Sequence, residues 1–258
     1  MTATTASGTR GWQSSGHGAA KPGGGDNGAM PLLAALETVR DPELDEPITS
    51  LGFVTACILA ADGTAEIRLR LPTYFCAPNF AYLMVADAFD AVAALPEVRA
   101  AVVVLEDHFA AEAINGGVAA QTGFAQSFDG EAVGELHELR AAFLRKAVLA
   151  GTDQVCAGLR ARGADPQQLS SVTLGEVPPS AARDRLVRRR AELGLPAGDD
   201  ALLLIDPATG DPVGVAALPL HLRRARLTRI SIEANGSICR AMLGHRYDTP
   251  GVGEEDSP

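Results

Sequence analysis

No two of the four cysteines, at positions 57, 76, 156 and 239, stand close enough to make a Cys-x-x-Cys pair. That spacing excludes a zinc ribbon, a dithiol redox couple and a ferredoxin-like cluster nest, and it predicts reduced, intracellular thiols. Positive charge is also scarce: 22 Lys and Arg against 32 Asp and Glu leave a formal net charge of -10 and a pI near 5.0. With no global positive field to neutralise phosphates, nonspecific nucleic-acid binding is excluded. No segment is long and apolar enough to span a bilayer, and the opening thirty residues, rich in Gly, Ser, Thr and Ala, lack the apolar core of a signal peptide. These absences predict a cytoplasmic protein without a membrane partner. Residues 1–30, including His17, and residues 249–258 are expected to be disordered tails. Nucleotide, phosphate and nucleophile-elbow motifs are missing, as are internal repeats, so the chain reads as a non-enzyme.

With 258 residues and 47% hydrophobic content, the chain can bury one sizeable core or two small ones, and two unequal units are the preferred reading. Leu32, Leu33, Leu36 and Val39 recur at helical spacing, and Pro42 pushes Asp41 out of the α region, so a first helix is expected to stop there. Beyond it, residues 53–59 and 65–71 read as paired strands around Asp62-Gly63. In the second of these, Ala65, Ile67, Leu69 and Leu71 alternate with Glu66, Arg68 and Arg70, the period of a half-buried strand. Pro78 suits the first turn of a helix carrying Phe80, Leu83, Met84, Ala88 and Val92, and residues 98–105 are apolar enough for a buried strand. The fold class expected is α+β, a small mixed sheet with helices packed on it over residues 31–108.

Residues 109–130 read as irregular, with Asn115-Gly116-Gly117 and Asp129-Gly130 as breakers. A long helix through Val133, Leu136, Leu139, Phe143 and Ala147 follows, making residues 109–164 a helical extension packed on the first unit. Residues 165–248 read as a smaller C-terminal α/β region, with residues 201–205 and 213–217 flanking a Pro- and Gly-rich turn as strand, turn and strand. Arg183, Arg185, Arg188, Arg189, Arg190, Arg223, Arg224, Arg226 and Arg229 concentrate positive charge there. A solvated helix face is the plain reading, and docking onto an acidic partner the sharper one.

Two loops carry the chemistry. Asp41 and Glu43 leave the first helix on a rigid turn, and Cys76 sits just ahead of a helix, where exposed N–H groups favour thiolate over thiol. His108, at a strand end, is placed to approach Cys76, and Thr73 is placed to donate to a carboxylate or thiolate. Each has an ordinary alternative: a buried thiol, carboxylates bonded to local backbone, a satisfied histidine, a hydroxyl that only stabilises a turn. Cys57 reads as core, and Cys156 and Cys239 as unremarkable thiols.

Asp41-Pro42-Glu43, then Pro47-Ile48-Thr49-Ser50-Leu51-Gly52-Phe53-Val54, a strand hairpin, and a loop cysteine ahead of a helix together form a longer pattern than any triplet. In that order the segment over about residues 31–108 resembles the metal-sulfur cluster assembly domain of PaaD-like and SufT-like proteins. The resemblance implies a working site at Asp41, Glu43 and Cys76. It also implies a role in maturing iron-sulfur proteins, which in the PaaD-like branch belong to multicomponent oxygenase systems. Phe75 and Ala77 flank the cysteine where relatives often carry small or polar residues.

One thiolate does not satisfy a cluster that needs four protein ligands, so no permanently bound cofactor is expected. Transient capture of iron or a cluster by Cys76, helped by Asp41, Glu43, Thr73 and His108, is the leading reading, with a client metalloprotein or oxygenase component as partner. Two protomers of a homodimer, each giving one sulfur, would be a second arrangement. A non-catalytic adaptor for an oxygenase component and, third, a Cys-nucleophile enzyme complete the alternatives.

Overall fold

Strand β2 (Thr64–Arg70) is the centre of the sheet because its alternation sends every second side chain inward: Ala65, Ile67 and Leu69, with Leu71 just beyond it, are sealed, each at 2% exposure or less. Each Ile or Leu buried so contributes about 1.5–3 kcal/mol of transfer free energy. The computed structural model describes residues 26–121 and 133–248, so the expected tails, apart from residues 26–30, lie outside the described residues, as does Asp129-Gly130. The elements are α1 (Asp26–Leu36), β1 (Val54–Leu59), β2 (Thr64–Arg70), α2 (Pro78–Ala93), β3 (Ala100–Glu106), α3 (Ala111–Ala119), α4 (Val133–Arg160), α5 (Pro166–Leu169), α6 (Ala181–Glu192) and α7 (Leu218–Asp248). Helix α1 begins inside the stretch expected as tail.

The sheet is mixed, with β2 antiparallel to β1 and parallel to β3. On its outer face Arg68 and Arg70 reach Glu106 of β3 at 2.7 and 2.8 Å. On its inner face lie Leu32 and Leu36 of α1, Ile48, Leu51 and Phe53 of the following loop, and Ala81, Val85, Ala88 and Val92 of α2. The architecture is α+β, as the patterning predicts. Helix α3, however, runs straight through Asn115-Gly116-Gly117. Asn115 explains the override: its side chain accepts from the Leu105 N–H at 2.8 Å and donates to the Leu105 carbonyl at 3.0 Å, fastening the helix to the end of β3.

A second core forms around Val148, Val155 and Cys156 of α4, Leu169 of α5, Leu186 of α6, and Leu174, Leu203, Leu204 and Leu218. The front half of α4 belongs to the first core, where Arg140 grips Asp87 through two 2.8 Å bonds and Phe143 meets Phe80 edge-on at 5.0 Å. The strand, turn and strand expected after residue 200 reduce to the isolated bridges Thr173↔Leu202 and Ile205↔Pro212. Arg190 is the physical reason. It is fully buried, and its guanidinium takes the carbonyls of Leu202, at 2.8 Å, and Leu203, which a ladder would otherwise use. Pro212 adds no N–H of its own.

Arg190 and Arg189 therefore correct the solvated-face reading for that helix. Arg189 reaches Asp45 of the first unit at 2.7 Å, Arg183 donates to the Leu174 carbonyl at 2.8 Å, and Arg229 pairs with Asp153 at 2.8 Å. Asp153 is almost fully buried on α4, so this last pair is what seats α7. Replacing Arg229 by alanine leaves the buried Asp153 carboxylate with only the longer Arg160 contact at 3.6 Å and is expected to cost about 1–3 kcal/mol. Urea denaturation of the variant checks this, and a loss under about 1 kcal/mol, the level of an exposed pair, would show that the pair does not seat the helix.

Candidate functional site

The acidic turn is built by its own backbone. Arg40 and Pro47 close it as an isolated bridge, the Asp41 N–H donates to the Glu46 carbonyl at 3.0 Å, and Asp45 adopts φ 53°. Asp41 Oδ1 accepts from the N–H groups of Glu43 at 2.9 Å and Leu44 at 2.8 Å, so the local-backbone role of this carboxylate is real. The rest of the motif is structural: Ile48, Leu51 and Phe53 are core, and Gly52, at φ +78°, lies where a Cβ would meet Leu243 at 3.4 Å. Thr49 bonds Glu37 and so ties the turn to the chain just past α1.

Asp41 is only 9% exposed. Burial, reinforced by the Glu43 and Glu46 charges and opposed by the two N–H bonds, pushes its carboxyl up to about 6. A native carboxyl that holds its proton more tightly than the unfolded chain makes the protein less stable as pH rises from about 4 to about 6. Above that window the penalty is about 3 kcal/mol. An asparagine would accept the same two N–H bonds without that penalty. The carboxylate thus carries a negative charge at neutral pH at the expense of stability.

The cysteine loop follows Leu71. Cys76 is half-buried, and its Sγ lies 3.1 Å from Thr73 Oγ1 rather than being bonded to the first turn of α2, whose Phe80 N–H is taken by Asn79 Oδ1 at 2.9 Å and the Ala77 carbonyl at 3.0 Å. His108 does reach Cys76, but through the main chain. Its Nδ1 accepts from the Ala110 N–H at 3.2 Å, which leaves Nε2–H to donate to the Cys76 carbonyl at 2.7 Å. Burial lowers the His108 pKa, the Cys76 carbonyl opposes that shift, and Arg246 adds to it, so the ring is neutral. Both ring nitrogens are therefore used to hold the loop, and neither is aimed at the sulfur. Tyr74, Phe75 and Phe109 surround the loop at 51, 73 and 53% exposure.

What the patterning missed is α7. The helix runs through Asn235-Gly236-Ser237, with the Ser237 hydroxyl donating to the Glu233 carbonyl at 2.9 Å. Asn235 Nδ2 lies 3.3 Å from Glu43 Oε1, Arg240 pairs with Glu46 at 2.7 Å, and a Cβ at Gly236 would stand 3.2 Å from Glu46 Oε1. Cys239 follows one turn after Asn235 and packs on the first core. The signal that would have found it is the helical spacing of Asn235, Cys239, Met242 and Arg246 on one face.

All four cysteines are free. Burial holds the Cys57 and Cys156 thiols up at about 11, as suits core groups. Among the described residues, no three His, Cys, Asp or Glu side chains form a ready-made metal cage, and no helix is long and apolar enough to cross a membrane.

Residues 31–104 match the family described as iron-sulfur cluster assembly protein. The segment is accordingly tied to cluster assembly or maturation. No curated protein and no solved structure matches the chain.

Asp41→Asn is expected to raise stability at pH 7.5 by up to about 3 kcal/mol and to leave it nearly unchanged at pH 4, where the native carboxyl is already protonated. Urea midpoints at the two pH values test this. A variant equally destabilised at both would mean that the carboxylate is needed for the turn itself.

Proposed function

We propose that this protein is an accessory maturation factor that takes up iron or a nascent iron-sulfur cluster at Cys76 and passes it to a client metalloprotein. The observation that carries this reading is the buried Asp41 carboxylate, kept charged at neutral pH where an uncharged isostere would serve the fold better, in the domain that matches the cluster assembly family. A thiolate with nearby carboxylates is a donor set that suits iron. It is also an incomplete one, and a single loop sulfur without a closed ligand shell releases cargo more easily than a four-cysteine nest.

The other residues have distinct parts. Thr73 donates a hydrogen bond to the Cys76 sulfur when that sulfur is thiolate, and Glu43 extends the acidic side of the site. His108 fixes the loop by its backbone and positions the sulfur. The exposed Tyr74, Phe75 and Phe109 form an apolar rim around the thiol on which a client docks. An oxygenase system in the cytoplasm is the client setting, by resemblance to the PaaD-like branch. With both nitrogens of His108 engaged, a nucleophilic-cysteine mechanism has no base at the sulfur from this histidine, which favours transfer over enzymatic turnover.

Cys76→Ser should reduce iron loading of the client, co-expressed with it in cells, by about tenfold or more, the effect of losing a defining soft ligand. Metal analysis of the purified client measures this. Full loading with the variant would remove the transfer role and leave an adaptor that acts through its docking surface alone.

A further inference from the structure

Helix α7 is apolar on both of its sides. Leu218 and Leu222 turn toward the second core, and Cys239 and Leu243 toward the first, as suits a helix that joins them. A helix with one buried stripe keeps its other side polar. On α7 the far side instead carries Leu220, Leu227 and Ile238, each more than half exposed, with the exposed Ala234 and Ala241 at the same spacing. Positions 220, 227, 234, 238 and 241 advance by seven, seven, four and three, the period of a seam that a second helix fills. At 1.5 Å per residue that seam is about 32 Å long. Continuous exposed apolar surface of this kind, unlike scattered single residues, marks an interaction site.

The strip does not stop at the helix. Ala241, Met242 and His245 line a cleft whose other wall is Pro72, Tyr74 and Phe75 of the cysteine loop, and the Tyr74 ring lies 6.3 Å from that of Phe109. It is therefore continuous with the apolar rim around Cys76. Its charge is one-sided. By helical spacing Arg223 and Arg224 stand on either side of the stretch between Leu220 and Leu227, with Arg226 just outside it. All three are exposed, and none makes a hydrogen bond or ion pair among the described residues. Between Leu220 and Tyr247 the helix has a single acid, Glu233, which Arg229 holds at 2.8 Å. Two copies of α7 laid together, in either direction, thus bring no free carboxylate to these arginines, and the complement of the strip is a helix of another protein with acidic edges.

We propose that this strip is the docking surface for an amphipathic helix of the client, apolar along one face and acidic along its edges, which lies along α7 with one end at the loop of Cys76. This rests on the client-docking part of the reading above and specifies the partner's chemistry. The apolar seam supplies affinity, and the arginines set partner choice and orientation.

The test uses the full-length chain and a synthetic helix of about three heptads with leucine along its seam and glutamate on both edges, beside a second peptide with lysine in place of glutamate. Fluorescence anisotropy is expected to show the glutamate peptide bound about tenfold more tightly than the lysine peptide, with the difference shrinking as salt is raised. Leu227→Glu combined with Ile238→Glu, and separately Arg223→Glu combined with Arg224→Glu, all at exposed positions, should each weaken binding of the glutamate peptide about tenfold. Cys76→Ser should bind it as the wild type does, so docking and metal transfer are read in separate assays. On the unmutated protein, carbene footprinting with mass spectrometry should show the glutamate peptide shielding residues 220–242 and the Tyr74–Phe75 loop. Equal binding of the two peptides, or shielding elsewhere, would overturn the docking surface and leave iron transfer at Cys76 standing. Dimers in sedimentation velocity that Leu227→Glu abolishes would assign the strip to a second copy of the chain and overturn the proposal as well.

Discussion

The seating of α7 is the constraint on which the rest of the arrangement depends. Its first half is held to α4 by Arg229 against the buried Asp153. Its second half reaches the acidic turn through Asn235 and Arg240, and the cysteine loop through Arg246, whose guanidinium also donates to the Asp107 carbonyl at 2.7 Å. The helix therefore fastens two separate apolar cores and closes over the site of the first. Gly236 is part of the same constraint, since a side chain there would press on Glu46.

Within that frame the site divides into parts that hold and parts that react. His108 spends both ring nitrogens on the backbone, and Ile48, Leu51 and Phe53 spend the stretch after the acidic turn on packing. These groups fasten the loop and the turn to the first core. The destabilising charge on Asp41 fits a protein that trades some stability for a site able to attract a cation.

Much of the first unit was legible in the chain, because local rules and tertiary packing agree there. The alternation from Ala65 to Leu71, the stop imposed by Pro42 and the start allowed by Pro78 each have a cause within a few residues. Where the two disagreed, the local reading failed. Gly116 and Gly117 stayed helical because Asn115 found the ends of a strand. Residues 201–205 did not extend a ladder because Arg190 took the carbonyls of Leu202 and Leu203. Arg189 and Arg190 of α6 did not face water because Asp45 and the carbonyls of Leu202 and Leu203 awaited them.

Sequence patterning sufficed for the α+β class, the helix and strand order of residues 31–106, and the pairing of an acidic turn with a loop cysteine, since each is encoded at short range by proline, glycine and side-chain period. Only the folded chain decided that His108 grips the Cys76 carbonyl instead of its sulfur, that Asp41 is buried, and that Asn235 of α7 meets Glu43 of the acidic turn across 192 residues of chain. Such outcomes depend on which distant polar groups meet once the apolar faces have collapsed, and no local period records that.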